Sequence, residues 1–225
     1  AAVVPDAFVA AFRALLDDGA LDPAFRAQAL ALPGEAYLLE RMSPADPVAL
    51  RAALIRLMQA IGTTLAEDWL QVFDAMQVPG EYRYHPADAG RRALANLALR
   101  YLAAAGVAEG LQRAEARFAA ATNMTERFGA LAALVQSASP ARTAALQAFH
   151  ARYRDDALVL DKWFALQAGA WSWDAAGEPA LARVRVLLSD PAVRQALVQG
   201  HGLDKSRVRA SAYWKRGSAG HHETL

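Results

Sequence analysis

Metal binding, acid–base work and nucleophilic attack each need particular side chains at spacings that let them meet. The histidines stand at His85, His150, His201, His221 and His222. No two lie four residues apart, so no helix can present the paired imidazoles of a zinc-binding HExxH. His222-Glu223-Thr224-Leu225 carries only the first letters of that pattern. His85 precedes Pro86 and reads as a loop residue; His150 reads as a flank to Leu146, Phe149 and Tyr153. The neighbouring carboxylates Asp17-Asp18, Glu67-Asp68 and Asp155-Asp156 would project about 100° apart on a helix. They cannot converge on one reacting atom and read as helix-end solvation and capping. No G-x-S-x-G elbow, P-loop or dinucleotide fingerprint occurs. The chain has no cysteine, which removes thiol chemistry and disulfides. The inventory gives no catalytic residue and no metal ligand.

One segment is basic without relief. Lys205, Arg207, Arg209, Lys215 and Arg216 have no acid among them. Guanidiniums suit bidentate recognition of a carboxylate, so an anion or a peptide C-terminus is the ligand such a segment would take. The plainer reading is a solvated helix face. Elsewhere the chain is balanced, with 24 basic and 23 acidic residues. That balance gives no pull toward nucleic acid or anionic lipid. No apolar run approaches the ~18–20 residues of a membrane span.

The elements that would position these residues are helices. Hydrophobic residues make up 55% of the chain, dominated by Ala and Leu, both strong helix formers. A capping residue followed by proline recurs at Asp22-Pro23, Ser43-Pro44, Asp46-Pro47, Ser139-Pro140 and Asp190-Pro191. Each predicts a helix start, because the side-chain oxygen caps orphan N–H groups and proline loses nothing there. Asn123 with Glu126 predicts another. Between the starts the apolar period is helical. Leu50, Leu54, Leu57, Met58, Ile61, Leu65, Trp69, Val72, Phe73 and Met76 form one long stripe. It predicts one long helix or two broken near Gly62-Thr63-Thr64. Shorter stripes follow: Leu94 to Ala105, Met124 to Val135, Leu146 to Tyr153, Leu160 to Gln167, and Leu181, Val184 and Leu188. Each helix is expected to bury one apolar face on its neighbours. Trp69 and Trp163 fall on such faces; Trp171 and Trp173 fall in a connection.

Short connections between antiparallel helices give hairpins, and a succession of hairpins predicts an all-α fold, an α-α superhelix or solenoid-like array. No repeat at a fixed period is legible. No low-complexity linker splits the chain, so residues 1–225 read as one domain.

Five stretches are similar in wording to one family. They are VVPDAFVAAFRALLDDGALDPAFRAQALALP, DPVALRAALIRLMQAIGTTLAEDW, EYRYHPADAGRRALANLALRYLA, ATNMTERFGALAAL and LVLDKWFALQA. NMTER and LDKWFALQ are the most specific. Together they resemble the C-terminal helical domain of bacterial aminopeptidase N, a zinc metallopeptidase, over roughly residues 1 to 210. The resemblance implies a helical superstructure that packs on the catalytic domain of the same polypeptide and restricts entry of peptide substrates. It implies that zinc and the catalytic groups belong to the parent enzyme, upstream of this chain, and that the enzyme works in the cytoplasm. This chain alone would then hold no cofactor and be inactive. The opening Ala1-Ala2-Val3-Val4-Pro5, without Met, fits a piece of a longer polypeptide. Residues Ser206 to Ala210 are similar to a family segment near the substrate chamber, which makes Arg207 and Arg209 the substrate-facing candidates. The stretch 211–225, with Trp214, does not follow the family pattern. The competing reading is a free-standing helical-repeat scaffold that binds a protein or peptide partner. No nucleic-acid module and no membrane segment is expected.

Overall fold

The computed structural model describes residues 4–170 and 180–189. Among these residues there is no strand. The helices are α1 (Asp6–Asp17), α2 (Pro23–Ala29), α3 (Glu35–Leu39), α4 (Pro47–Thr64), α5 (Ala66–Ala75) and α6 (Pro86–Ala104). They continue with α7 (Ala108–Ala120), α8 (Met124–Val135), α9 (Ala141–Tyr153), α10 (Ala157–Ala168) and α11 (Ala180–Ser189). The sequence reading takes 1–225 as one domain; the contacts divide it into two compact units, 1–145 and 146–225.

Most of the expected starts are real. Asp22 accepts from the N–H groups of Ala24 and Phe25 at 2.8 and 3.2 Å. Asp46 accepts from Ala49 at 2.9 Å, and Asn123 from Glu126 at 3.0 Å. Ser139 accepts from Ala141 at 3.1 Å and donates to Glu115 at 3.0 Å. Ser43-Pro44 is the exception. It begins no helix and lies in the connection before Asp46, with a cis peptide bond. A helix begun at Pro44 would put Pro47 where the first intrahelical N–H is needed. Asp190-Pro191 lies outside the described residues.

The long apolar stripe breaks at Leu65 into α4 and α5, bent by 78°. The Thr63 hydroxyl donates back to the Gln59 carbonyl at 2.8 Å, a bond that bends helices. Leu65 fills the corner, fully buried. No single helix among the described residues is long and apolar enough to cross a membrane.

The expectation of one apolar face per helix fails at α6. This helix packs against α2, α4, α5, α7 and α8. Leu94, Ala95, Leu97, Ala98, Leu99, Tyr101 and Leu102 are therefore all buried. A helix surrounded on most sides needs apolar or small residues all round. On α4, Gly62 lies against the Tyr101 carbonyl of α6. A Cβ at Gly62 would fall well inside contact distance of that oxygen. Gly→Ala inside a helix normally stabilises by about 1 kcal/mol. Here the backbone blocks it, so Gly62→Ala is expected to destabilise by about 1–3 kcal/mol. Equilibrium urea unfolding reads the sign, and a stabilised variant would show that the two helices can part cheaply.

Where α1, α2, α4, α5 and α6 meet, the core is aromatic. Trp69 stacks on Tyr101 with ring centroids 4.4 Å apart, and Phe12 meets Tyr101 edge-on at 6.1 Å. The Tyr101 hydroxyl donates to the Leu30 carbonyl at 2.8 Å. Burial pushes the phenol above its ordinary range, so it stays a neutral donor.

Arginines hold the carbonyl ends of preceding helices. Arg26 on α2 donates to Leu15 O at 2.9 Å and to Leu16 O, at the end of α1. Arg91 on α6 donates to Ala75 O and Gln77 O at 3.1 and 2.5 Å, at the end of α5. Arg127 on α8 donates to Phe118 O at 3.3 Å and to Ala121 O, at the end of α7. Each places a cation on the negative end of a helix dipole and satisfies orphan carbonyls.

In the second unit α10 and α11 pack through Leu160, Phe164 and Leu187, with Trp163 against them. Among the described side chains of α11, Leu187 is buried and Val184 half-buried, whereas Leu188, expected on the inward stripe from its spacing, is exposed. The Trp163 indole donates to Leu146 O at 3.0 Å, and its ring lies 4.9 Å from that of His150.

Candidate functional site

The residues singled out from the sequence for substrate contact, Arg207 and Arg209, lie outside the described residues. So do Lys205, Lys215, Arg216, Trp214, Trp171, Trp173, His201, His221 and His222. His85 stands at the N-terminus of α6 and is exposed; His150 is half-buried. Among the described residues no three His, Cys, Asp or Glu side chains gather as a metal site. The paired carboxylates behave as local caps and surface ion pairs. Asp18 accepts from Ala20 N–H at 3.0 Å, Asp156 from Val159 N–H at 3.1 Å, and Asp68 faces Arg13 at 3.4 Å.

Chemistry that the sequence reading missed is concentrated between α6, α7 and α8. Arg92 from α6 and Arg117 from α7 both converge on Oε1 of Glu126, at 3.2 and 3.5 Å. Their side chains are 4%, 6% and 15% exposed in the order Arg92, Arg117, Glu126. Two buried guanidiniums thus share one carboxylate. Arg92 makes a hydrogen bond to it. No guanidinium nitrogen of Arg117 makes a hydrogen bond. The Arg117 guanidinium also lies over the Phe73 ring, 5.3 Å from its centroid. Desolvation pushes its pKa down, partly countered by Glu126.

Glu126 was expected only as the capping partner of Asn123. Its backbone N–H does meet Asn123, while its side chain turns inward to the arginines. The signal that could have found the cluster is spacing. Arg117 follows the buried Ala114 by three residues, and Arg92 lies between the buried Asp88 and Ala95. Both arginines therefore occupy inward faces.

Next to this cluster is a cavity of about 440 Å³ lined by Phe73, Val78, Arg113, Arg117, Ala120 and Glu126, among others. At its rim Arg113 grips Asp74 with two bonds, 2.7 and 3.0 Å. That bond holds the Asp74 carboxyl below its usual range.

A second pairing fixes the loop before α6. Arg83 donates to both oxygens of Asp88, at 2.5 and 3.4 Å. Asp88 sits buried in the first turn of α6, where the helix dipole also favours its charge. Arg83 holds the carboxyl below its ordinary range, helped by His85 and Arg92. A depressed carboxyl stabilises the fold above its unfolded value near pH ~4 and loses that effect as the pH falls through the folded value. The urea midpoint is expected to drop as the pH falls below about 4, with Asp88→Asn flattening the drop. An unchanged slope in Asp88→Asn would move the acid sensitivity elsewhere.

Comparison with known proteins fits this fold. Residues 1–195 match the family model described as a domain of unknown function (DUF3458_C), ARM repeats. Aminopeptidase N of Caulobacter vibrioides is 44% identical over 155 residues, 69% of this chain and 18% of that protein. Aminopeptidase N of Escherichia coli is 35% identical over 158 residues, 70% of this chain and 18% of that protein. The chain thus spans about a fifth of the length of the relatives it matches. The crystal structure of Legionella pneumophila aminopeptidase A in complex with aspartic acid shares the fold. Its TM-score is 0.71 at 22% identity, over 87% of this chain and 24% of that one. The all-α array of helical hairpins read from the sequence agrees with the ARM-repeat description. The chain belongs to the DUF3458_C family of ARM-repeat domains and corresponds to the C-terminal helical domain of an aminopeptidase N-like polypeptide.

Proposed function

We propose that this chain is the non-catalytic C-terminal domain of a cytoplasmic zinc aminopeptidase that removes N-terminal amino acids from peptides. In this reading it packs on the catalytic domain of the same polypeptide and restricts which peptides enter. Arg207 and Arg209 face substrate, and neither nucleic acid nor membrane is a partner. The observation that carries the reading is the 44% identity to an aminopeptidase N across 155 residues. In the first unit Phe25, Tyr37, Val48 and Tyr84 are exposed apolar side chains; such residues mark a docking face where they join in one patch. Zinc and the reaction would be supplied by the remainder of the polypeptide. The described residues offer no ligand set for the metal, and no catalytic step is assigned to them.

The test is a peptidase assay on the 225-residue chain with an amino-acyl chromogenic amide, with and without zinc, alongside metal analysis. No metal and no turnover are expected. Stoichiometric zinc with turnover would overturn the reading. The role of Arg207 and Arg209 is tested in the full-length enzyme. Each is replaced by Ala and kcat/KM is compared across peptides of increasing length. A change that grows or shrinks with length is expected, and a flat series would remove these residues from the substrate path.

A further inference from the structure

We propose that the cavity between α5, α7 and α8 is a binding site for a carboxylate carried on a small apolar body. The site stands whether or not the domain gates a peptidase. Its carrying observation is Arg117, whose side chain is 6% exposed, lines the cavity and makes no hydrogen bond. A buried guanidinium offers five donors in a fixed fork, and leaving them unused is costly.

The charged side chains that line this cavity are Arg113, Arg117 and Glu126, with Asp74 paired to Arg113 and Arg92 paired to Glu126. Asp74 is committed to Arg113 through two bonds. Glu126 uses the same oxygen for both Arg92 and Arg117. The side-chain donors of Arg117 are left without a hydrogen-bond acceptor, which an anionic ligand would supply. The planar fork of arginine matches a carboxylate in shape. The remaining wall is mainly apolar, with Phe73, Val78, Ala116 and Ala120, and carries Gln77 and Thr122 as its uncharged polar residues. The group bearing the carboxylate is therefore a small aliphatic one. It can be a free acid or peptide terminus, or an acidic side chain presented by a folded protein.

Isothermal calorimetry on the 225-residue chain separates these cases. The probes are N-acetyl-leucine, N-acetyl-leucinamide and N-acetyl-glutamic acid α-amide. Saturable binding of at least one carboxylate is expected, with none for the leucinamide. Binding of N-acetyl-leucine alone assigns the site to a free acid or terminus; binding of the glutamic acid amide alone assigns it to a protein side chain. Arg117→Met should weaken binding about tenfold or more, and Arg113→Met less. Circular dichroism confirms that each variant is folded. If Arg117→Met does not fold, Arg117→Lys, which keeps charge and loses the fork, should weaken binding as well. The proposal is overturned if neither carboxylate binds, if N-acetyl-leucinamide binds as tightly as the carboxylate that binds, or if the folded Arg117 variants bind undiminished.

Discussion

Glu126→Gln should destabilise the chain by about 3–5 kcal/mol, the cost of breaking a buried ion pair from one side. Glu126 neutralises two guanidiniums that are almost wholly buried, Arg92 and Arg117. Gln keeps the shape and can accept a hydrogen bond, but it cannot offset their charge. The effect is expected to shrink when Arg117 is first changed to Met, because one buried cation is then gone. A double-mutant cycle by urea unfolding reads that coupling directly. A loss below about 1 kcal/mol for Glu126→Gln would place the pair among surface contacts in energetic terms. Equal losses in both backgrounds would show that Arg92 alone feels the carboxylate.

The second large effect is expected at Trp69. Trp69→Ala removes a fully buried indole from the stack on Tyr101 and should cost about 3–5 kcal/mol. The indole nitrogen makes no hydrogen bond, so the loss is one of packing and cavity formation. Trp69→Phe should recover much of it, since a ring still faces Tyr101. Thermal and urea unfolding of both variants check this. If Trp69→Ala and Trp69→Phe cost the same, the stacking is not the source, and the corner around Leu65 has collapsed in both.

These two residues also show what the sequence made legible. Trp69 lies on an uninterrupted apolar period, so its burial followed from spacing alone. The starts of α2, α4, α8 and α9 followed from an Asp, Ser or Asn oxygen placed before a proline or a first turn. Ser43-Pro44 misled because Asp46-Pro47, three residues on, claims the same helix. The surrounding of α6 by five helices was not legible, since a period names the inward face and does not count neighbours. Leu187 replaced Leu188 for a related reason: adjacent leucines leave the register of a short helix open. The Arg92–Glu126–Arg117 cluster was hidden by residue type. Charged residues are assigned outward by default, and only their positions three or four residues from buried alanines argue otherwise.

The hydrogen bonds of the arginine latches at Arg26, Arg91 and Arg127 go to backbone carbonyls, though Arg127 also lies over the Phe118 ring, 5.9 Å from its centroid. A carbonyl is present whatever residue occupies the position. Leu15, Ala75 and Phe118 can therefore be rewritten without cutting the bond that ties each helix end to the next helix. The freedom is one-sided. Lysine carries the charge but lacks the fork that reaches two carbonyls at once, so the arginine cannot be exchanged in kind. Successive helices can thus diverge in sequence while their spacing is held. That is a physical route to an array whose units have the same geometry and no readable repeat.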